Sequence, residues 1–181
     1  NMKGRISEIF SSLQGEGIYF CERQIFVRFV GCNLKCSFCD TPRDEFREYS
    51  PDEVLNEIRS FGSGYHSVSF TGGEPLIQKD FLKECLRAVK RDGYRTYLET
   101  NGTLAHEVRD LADSLDIVAM DIKIPSSTGE GFNVSEEKGS DSAKKKIKNI
   151  SLSGDWSESY IVNLFDWHLH VSEQLDRFTG N

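Results

Sequence analysis

The chain has 181 residues, a formal net charge of −7 and a hydrophobic content of 38%, which fits one domain of ordinary size. An acidic chain is not expected to bind nucleic acids in general, because such binders carry excess Lys and Arg that replace counterions. We find neither an apolar run of the roughly 18 to 20 residues that a membrane-spanning helix needs nor an export signal, so we predict a cytoplasmic protein without membrane contact.

Strands and helices are predicted to alternate along most of the chain. Residues 5–10 alternate in polarity and residues 24–30 form a β-branched and aromatic run, so both segments are predicted as strands. Ser50 is predicted to cap a helix that begins at Pro51, with Glu53 in the acidic position of a capping box. Further helices are predicted at 79–90 and 105–115, and further strands at 66–70, 94–98, 117–122, 147–152, 159–164 and 167–171.

Three consecutive units of strand, loop and helix predict an α/β fold with a parallel sheet covered by helices. Residues 2–181 are expected to form a single compact domain. Each loop that carries chemically suggestive residues directly follows a predicted strand. Because parallel α/β folds place their sites at the carboxyl ends of the strands, we expect these loops to meet there.

The segment 31–42 holds three of the five cysteines, Cys32, Cys36 and Cys39. A structural zinc site needs four ligands and an electron-transfer cubane takes four thiolates, whereas three thiolates leave one iron of a cubane open to a small molecule. A zinc site completed by a distant His or Cys is the alternative. Cys21 and Cys85 are interpreted as structural, since Cys85 lies on the apolar stripe of the helix at 79–90.

This cysteine loop resembles the cluster loop of radical S-adenosylmethionine (SAM) enzymes, with Phe38 as the aromatic residue before the last cysteine. The resemblance implies a [4Fe-4S] cluster whose fourth iron is chelated by SAM, and reductive cleavage of SAM to methionine and a 5′-deoxyadenosyl radical. The segment T-G-G-E-P resembles the motif that holds the SAM amino group, which assigns that task to the backbone of Gly72 and Gly73 and to the Glu74 carboxylate.

Later strand ends receive weaker assignments from the same resemblance. Thr100 is expected near the substrate and Asn101 near SAM, with Glu99 beside them. Ser126 is expected near SAM at the next strand end.

Several segments together resemble the 7-carboxy-7-deazaguanine synthases: S-L-Q-G-E-G, C-D-T, L-E-T-N-G-T and D-I-K-I-P-S-S. This family contracts the ring of 6-carboxy-5,6,7,8-tetrahydropterin to 7-carboxy-7-deazaguanine, with loss of ammonia, on the route to queuosine and other 7-deazapurines. The resemblance implies an incomplete (β/α)6-type barrel, a partial TIM barrel, with the cluster and SAM core at about 5–127. It further implies Mg2+ held by Thr41 and a substrate held by four residues, Gln14, Gly15, Glu16 and Arg28.

The last part of the chain departs from this family. Asp176 stands where the family has a His, and the part at about 128–181 is short and divergent. Two alternatives therefore stay open: an activating enzyme that places a glycyl radical on a protein partner, and a non-catalytic iron–sulfur module. The family also implies a flavodoxin-like electron donor and a homodimer.

Overall fold

A computed structural model describes residues 2–37, 39 and 45–121 of the protein. Within these residues six strands form one sheet in the order β3-β1-β2-β4-β5-β6. The strands are β1 (Gly4–Leu13), β2 (Arg23–Phe29), β3 (Arg47–Tyr49), β4 (Ser67–Gly72), β5 (Thr96–Thr100) and β6 (Ile117–Met120).

Strands β2, β4, β5 and β6 are parallel, whereas β1 runs antiparallel to both β2 and β3. The predicted α/β fold is thus confirmed, with a mixed sheet rather than an entirely parallel one. The short edge strand β3 was not predicted, because three residues are too few for a recognisable periodicity. The strands predicted after residue 121 lie outside the described residues, and so does the division of the chain near residue 127.

Two helices cover one face of the sheet, α1 (Pro51–Ser60) and α2 (Lys79–Arg91). Ser50 caps α1 as predicted: its hydroxyl accepts the Glu53 N–H, and the Glu53 carboxylate accepts the Ser50 N–H at 2.7 Å. Cys85 of α2 is completely buried in the core, in agreement with its interpretation as a small hydrophobe.

The helix predicted at 105–115 is only partly correct. A short helix α3 (Ala105–Val108) continues as a 3-10 helix at Arg109–Ser114. This second part contains two Asp and a Ser, whose side chains compete for backbone hydrogen bonds and weaken the α-helix. None of the helices in the described ranges is long and apolar enough to cross a membrane.

The strand register separates an apolar face from a polar one. Ile25, Val27 and Phe29 of β2 are completely buried and belong to the core cluster that includes α1 and α2. The alternate residues of β2 face away from the helices. They pair with polar residues of β4: Gln24 with Ser67, Phe26 with Ser69, and Arg28 with Thr71. Functional side chains are therefore concentrated on the face that the helices leave open.

Candidate active site

The carboxyl ends of β2, β4, β5 and β6 meet at one edge of the sheet, as expected for parallel strands. A cavity of about 330 Å³ opens there. Its lining includes ten residues that the sequence singled out: Glu16, Arg28, Cys32, Cys36, Cys39, Gly72, Gly73, Glu99, Thr100 and Asn101. Gln14, Gly15 and Glu74 do not line this cavity, and Phe38, Thr41 and Ser126 lie outside the described residues.

The cluster loop leaves β2 and brings its three cysteines to the cavity. Cys32 and Cys39 are exposed and Cys36 is partly so, and the Cys39 N–H donates to the Cys36 carbonyl at 3.2 Å. Although Cys32 is exposed as a residue, partial desolvation of its thiol raises the pKa, and hydrogen bonds from the Leu34 N–H and the Asn101 amide oppose that rise. These donors favour the thiolate, which is the form that binds metal.

The donor set fits a cubane. Among the described residues, no three His, Cys, Asp or Glu side chains converge closely enough to hold a single metal ion. A cubane instead binds each thiolate to a different iron, so its three cysteines spread around the wall of one cavity, as they do here. The cavity lining thus supplies the three thiolates that a cubane with one open iron requires.

Gly72 and Gly73 allow two backbone segments to approach closely. A Cβ on Gly72, which has φ of +122°, would lie 2.2 Å from the Phe29 carbonyl oxygen. A Cβ on Gly73 would lie 2.0 Å from the Gly31 carbonyl oxygen and 3.2 Å from the Cys32 Cβ. Because these distances exclude any side chain, the glycines hold the end of β4 against the start of the cluster loop.

The backbone hydrogen bonds of this segment join it to β2 and to the cluster loop. The Gly73 N–H donates to the Phe29 carbonyl at 3.1 Å, and the Glu74 N–H donates to the Gly31 carbonyl at 2.8 Å. Both donors are thus used within the protein rather than directed at a ligand.

The Glu74 side chain lies between the ends of β4 and β5. Its side chain is completely buried, with one carboxylate oxygen accepting the Leu76 N–H at 3.0 Å. The other oxygen accepts the Asn101 N–H at 2.7 Å and the Thr100 hydroxyl at 2.9 Å. Burial raises the pKa of Glu74, while these three hydrogen bonds oppose the rise. In this geometry the carboxylate connects the ends of β4 and β5 through hydrogen bonds within the protein.

Glu99 is the carboxylate that faces the cavity from β5. Gln14 donates to its Oε1 at 2.8 Å, Ser69 donates to the same oxygen at 3.3 Å, and Thr71 donates to Oε2 at 2.5 Å. Gln14 also donates to the side-chain oxygen of Gln24 at 3.0 Å, and its own side-chain oxygen accepts the Glu16 N–H at 3.3 Å. Gln14 is only 4% exposed and does not line the cavity. Its side chain therefore positions Glu99 and Glu16 through hydrogen bonds.

Arg28 brings a positive charge to the same polar face. Its guanidinium lies 3.2 Å from the Glu8 carboxylate and 5.2 Å from the centre of the Phe10 ring. Both partners belong to β1, which the register places beside β2. The Phe10 ring and the ion pair fix the direction of the guanidinium.

The family model described as the radical SAM superfamily matches residues 26–154 of the chain. The chain belongs to the radical SAM superfamily. Membership implies a [4Fe-4S] cluster and SAM, and the three cysteines around the cavity fit that cluster.

Curated relatives of this radical SAM chain carry the name 7-carboxy-7-deazaguanine synthase. One from Methanothermobacter thermautotrophicus is 45% identical and covers 68% of this chain and 51% of its own length. One from Methanospirillum hungatei is 43% identical, with coverages of 77% and 59%. The chain thus spans between about half and three fifths of the length of these relatives.

A solved structure also resembles this radical SAM chain. QueE from Escherichia coli is 28% identical and has a TM-score of 0.51 over 56% of this chain and 53% of its own. Sequence and structure thus agree on the family and on the fold of its core.

Several residues that line the radical SAM cavity or contact its lining were not identified from the sequence. Ser69 and Thr71 were missed, although Ser67, Ser69 and Thr71 alternate with apolar Val68 and Phe70 in a pattern typical of a strand with one polar face. Asn33 was also missed, and its contact with Asn101, 68 positions away, has no local signal.

Proposed function

We propose that the chain is a 7-carboxy-7-deazaguanine synthase, a lyase that converts 6-carboxy-5,6,7,8-tetrahydropterin to 7-carboxy-7-deazaguanine with loss of ammonia. The observation that carries this proposal is one cavity lined by the three cysteines together with Glu16, Arg28 and Glu99. A radical SAM site combined with one guanidinium and three carboxylates, Glu16, Glu99 and Asp121, suits a substrate that has both an acid group and a hydrogen-bonding heterocycle. The printed names of the relatives support the same assignment.

Arg28 is proposed to bind the substrate carboxylate, because a guanidinium presents a planar fork of donors that matches a carboxylate. Its present partner Glu8 has a side chain that is 47% exposed, so the ion pair can exchange with a substrate at little cost. Glu16 and Glu99 are proposed to accept the N–H groups of the pterin edge. Gln14 is proposed to orient these two acids, which replaces the direct substrate contact expected for it.

A second cavity of about 300 Å³ adjoins the first and shares Glu16 and Glu99 with it. Tyr19 and Tyr97 line this cavity, and burial raises the pKa of Tyr97 to about 12. Tyr97 therefore stays neutral at physiological pH, and an aromatic wall beside three carboxylates suits a flat heterocycle with a polar edge.

Bound SAM and cluster would supply the deoxyadenosyl radical that starts the reaction. Cys32, Cys36 and Cys39 would hold the cluster, and the cavity walls beside them would keep the substrate within reach and exclude water. Mg2+ at Thr41, contacts of Phe38 and Ser126 with SAM, and contacts of Gly15 and Thr100 with the substrate complete the proposed site. A flavodoxin-like donor, a homodimer and a cytoplasmic location belong to the same proposal.

The test is anaerobic incubation of reconstituted protein with SAM, dithionite, Mg2+ and the tetrahydropterin, with deazapurine and 5′-deoxyadenosine both quantified. Formation of 7-carboxy-7-deazaguanine is expected. SAM cleavage without deazapurine would refute the proposed substrate, and radical formation on an added protein would favour an activating enzyme. Absence of SAM cleavage would favour a non-catalytic module.

Arg28→Ala separates substrate binding from SAM cleavage in this assay. The variant should weaken the apparent affinity for the tetrahydropterin by about 2 to 5 kcal/mol, since a charged partner is lost, and retain slow cleavage of SAM without substrate. The matched control is Arg23→Ala on the same strand, where the guanidinium lies over the Tyr65 ring instead of the cavity. Equal effects of the two variants would contradict the role of Arg28.

A further inference from the structure

Asn101 lies between the end of β5 and the cluster loop, and its side chain contacts a cluster cysteine. The residue is 5% exposed. Its Nδ2 is 3.7 Å from the Cys32 sulfur and 3.0 Å from the Asn33 Oδ1. Since an amide nitrogen carries two hydrogens, it can donate to both acceptors at once.

The neighbouring Thr103 determines the orientation of this amide. The Asn101 Oδ1 accepts the Thr103 backbone N–H at 3.0 Å and the Thr103 hydroxyl at 2.6 Å. A backbone N–H can only donate, so the group that faces it must be the amide oxygen. The NH2 group therefore faces the cysteine.

Further hydrogen bonds hold Asn101 in this place. Its backbone N–H donates to the buried Glu74 carboxylate at 2.7 Å. Asn33 accepts from Asn101 and donates to the Thr103 hydroxyl at 2.8 Å, which closes a ring of three side chains. The amide cannot turn away from Cys32 without breaking several of these contacts.

We propose that Asn101 is a positioning residue for the cluster: its amide donates a hydrogen bond to the Cys32 sulfur and raises the reduction potential of the bound [4Fe-4S] cluster. An electron added to the cluster increases the negative charge on its sulfurs, so an N–H donor stabilises the reduced form more than the oxidised form. The Leu34 N–H, 3.4 Å from the same sulfur, is a second donor. This role goes beyond the proposed substrate, because it requires only the cluster.

The test is a potentiometric titration of the reconstituted full chain with titanium(III) citrate, followed by the electron paramagnetic resonance signal of the reduced cluster. Asn101→Ala is expected to decrease the ratio of reduced to oxidised cluster about tenfold at a given potential, which corresponds to a midpoint about 59 mV lower for one electron. Asn101→Asp keeps both bonds from Thr103, loses the donor and is expected to lower the midpoint at least as far.

Asn33→Asp is the matched control. It adds the same negative charge at a residue whose Oδ1 is 3.9 Å from the Cys32 sulfur, but leaves the Asn101 amide in place. Its shift should be less than half that of Asn101→Asp. Equal shifts in the two Asp variants, or an unchanged midpoint in an Asn101→Ala protein with full iron content, would overturn the proposal.

A measurement on the wild-type protein does not depend on whether the variants fold. With 15N in the asparagine side-chain amides, pulsed electron paramagnetic resonance of the reduced cluster should detect a hyperfine coupling to nitrogen. The absence of this coupling in the wild-type protein would also overturn the proposal.

Discussion

At the scale of single residues, the Glu74 carboxylate shows how burial decides what an acid can do. It accepts three hydrogen bonds and has no exposed surface. Glu74→Gln would oppose an amide NH2 to a backbone N–H in either orientation of the amide, to the Leu76 N–H in one and to the Asn101 N–H in the other. We expect the free energy of unfolding in urea to fall by about 3 kcal/mol, because buried polar groups lose their partners.

Glu84→Gln is the control for this variant, since the Glu84 side chain is 43% exposed and its ion pair with Arg87 lies on the surface of α2. It should change the free energy of unfolding by less than about 0.5 kcal/mol. If Glu74→Gln kept full stability but weakened SAM binding, the carboxylate would be a SAM ligand after all.

His66 is expected to make stability depend on pH. Its Nε2 lies 2.8 Å from an Arg95 guanidinium nitrogen, which can only donate. The Nε2 atom therefore accepts this hydrogen bond and carries no proton, so the imidazole is neutral. Burial, and then the positive charge of Arg95, lower the pKa of His66. The unfolded chain, with a His pKa of about 6.5, therefore binds the proton more readily than the folded chain.

The stability associated with His66 is thus complete above about pH 6.5 and is lost as the pH falls towards the lower pKa of the folded state. Between about pH 7.5 and about pH 5.5, wild-type protein should lose more free energy of unfolding than His66→Gln, whose amide oxygen can still accept from Arg95. Parallel losses in the two proteins would contradict this expectation.

At the scale of elements, the start of α1 is determined by residues close together in sequence. Ser50→Ala removes the oxygen that accepts the Glu53 N–H and should lower the free energy of unfolding by about 1 kcal/mol. The control is Ser60→Ala at the other end of α1, where the exposed hydroxyl donates to the Glu57 carbonyl. Chemical denaturation of both variants provides the comparison, and equal losses would indicate that the capping box contributes nothing specific.

Such local determinants explain which elements could be predicted. The cap, the apolar stripe of α2 and the β-branched runs of β2 and β4 lie within short windows, and all four elements were located from sequence. The antiparallel direction of β1 and the edge strand β3 depend on which strands pair. That choice involves contacts between distant residues.

The same distinction holds within the candidate site. Cys32, Cys36 and Cys39 follow one another within a single loop, so their shared role was visible as spacing. The contact of Gln14 with Glu99 spans 85 positions and that of Glu74 with Asn101 spans 27. Their side-chain partners follow from strand register, so the sequence indicated the residues but not the positioning roles.

At the scale of the whole molecule, the cluster should connect the loops at one edge of the sheet. The cluster loop contacts the end of β4 through Gly31 and Gly73, and the end of β5 through Asn33 and Asn101. A group bound only by the folded chain stabilises it by mass action, and metal sites generally couple to folding in this way. Removal of the cluster by a chelator should therefore lower the midpoint of thermal unfolding.

Cysteine variants separate this effect from ordinary core packing. Ala in place of Cys32, Cys36 or Cys39 should abolish the cluster and leave a protein that unfolds at the temperature of chelator-treated wild type. Cys85→Ala should keep full iron content and lower the free energy of unfolding by about 1 kcal/mol, because Cys85 contributes only apolar burial. Cys21→Ala should also keep the cluster, since Cys21 lies in an exposed turn with φ of +68°. Iron per chain and thermal unfolding, measured on the same anaerobic samples, test both expectations, and a Cys36→Ala protein that retained a full, SAM-responsive cluster would refute the ligand assignment.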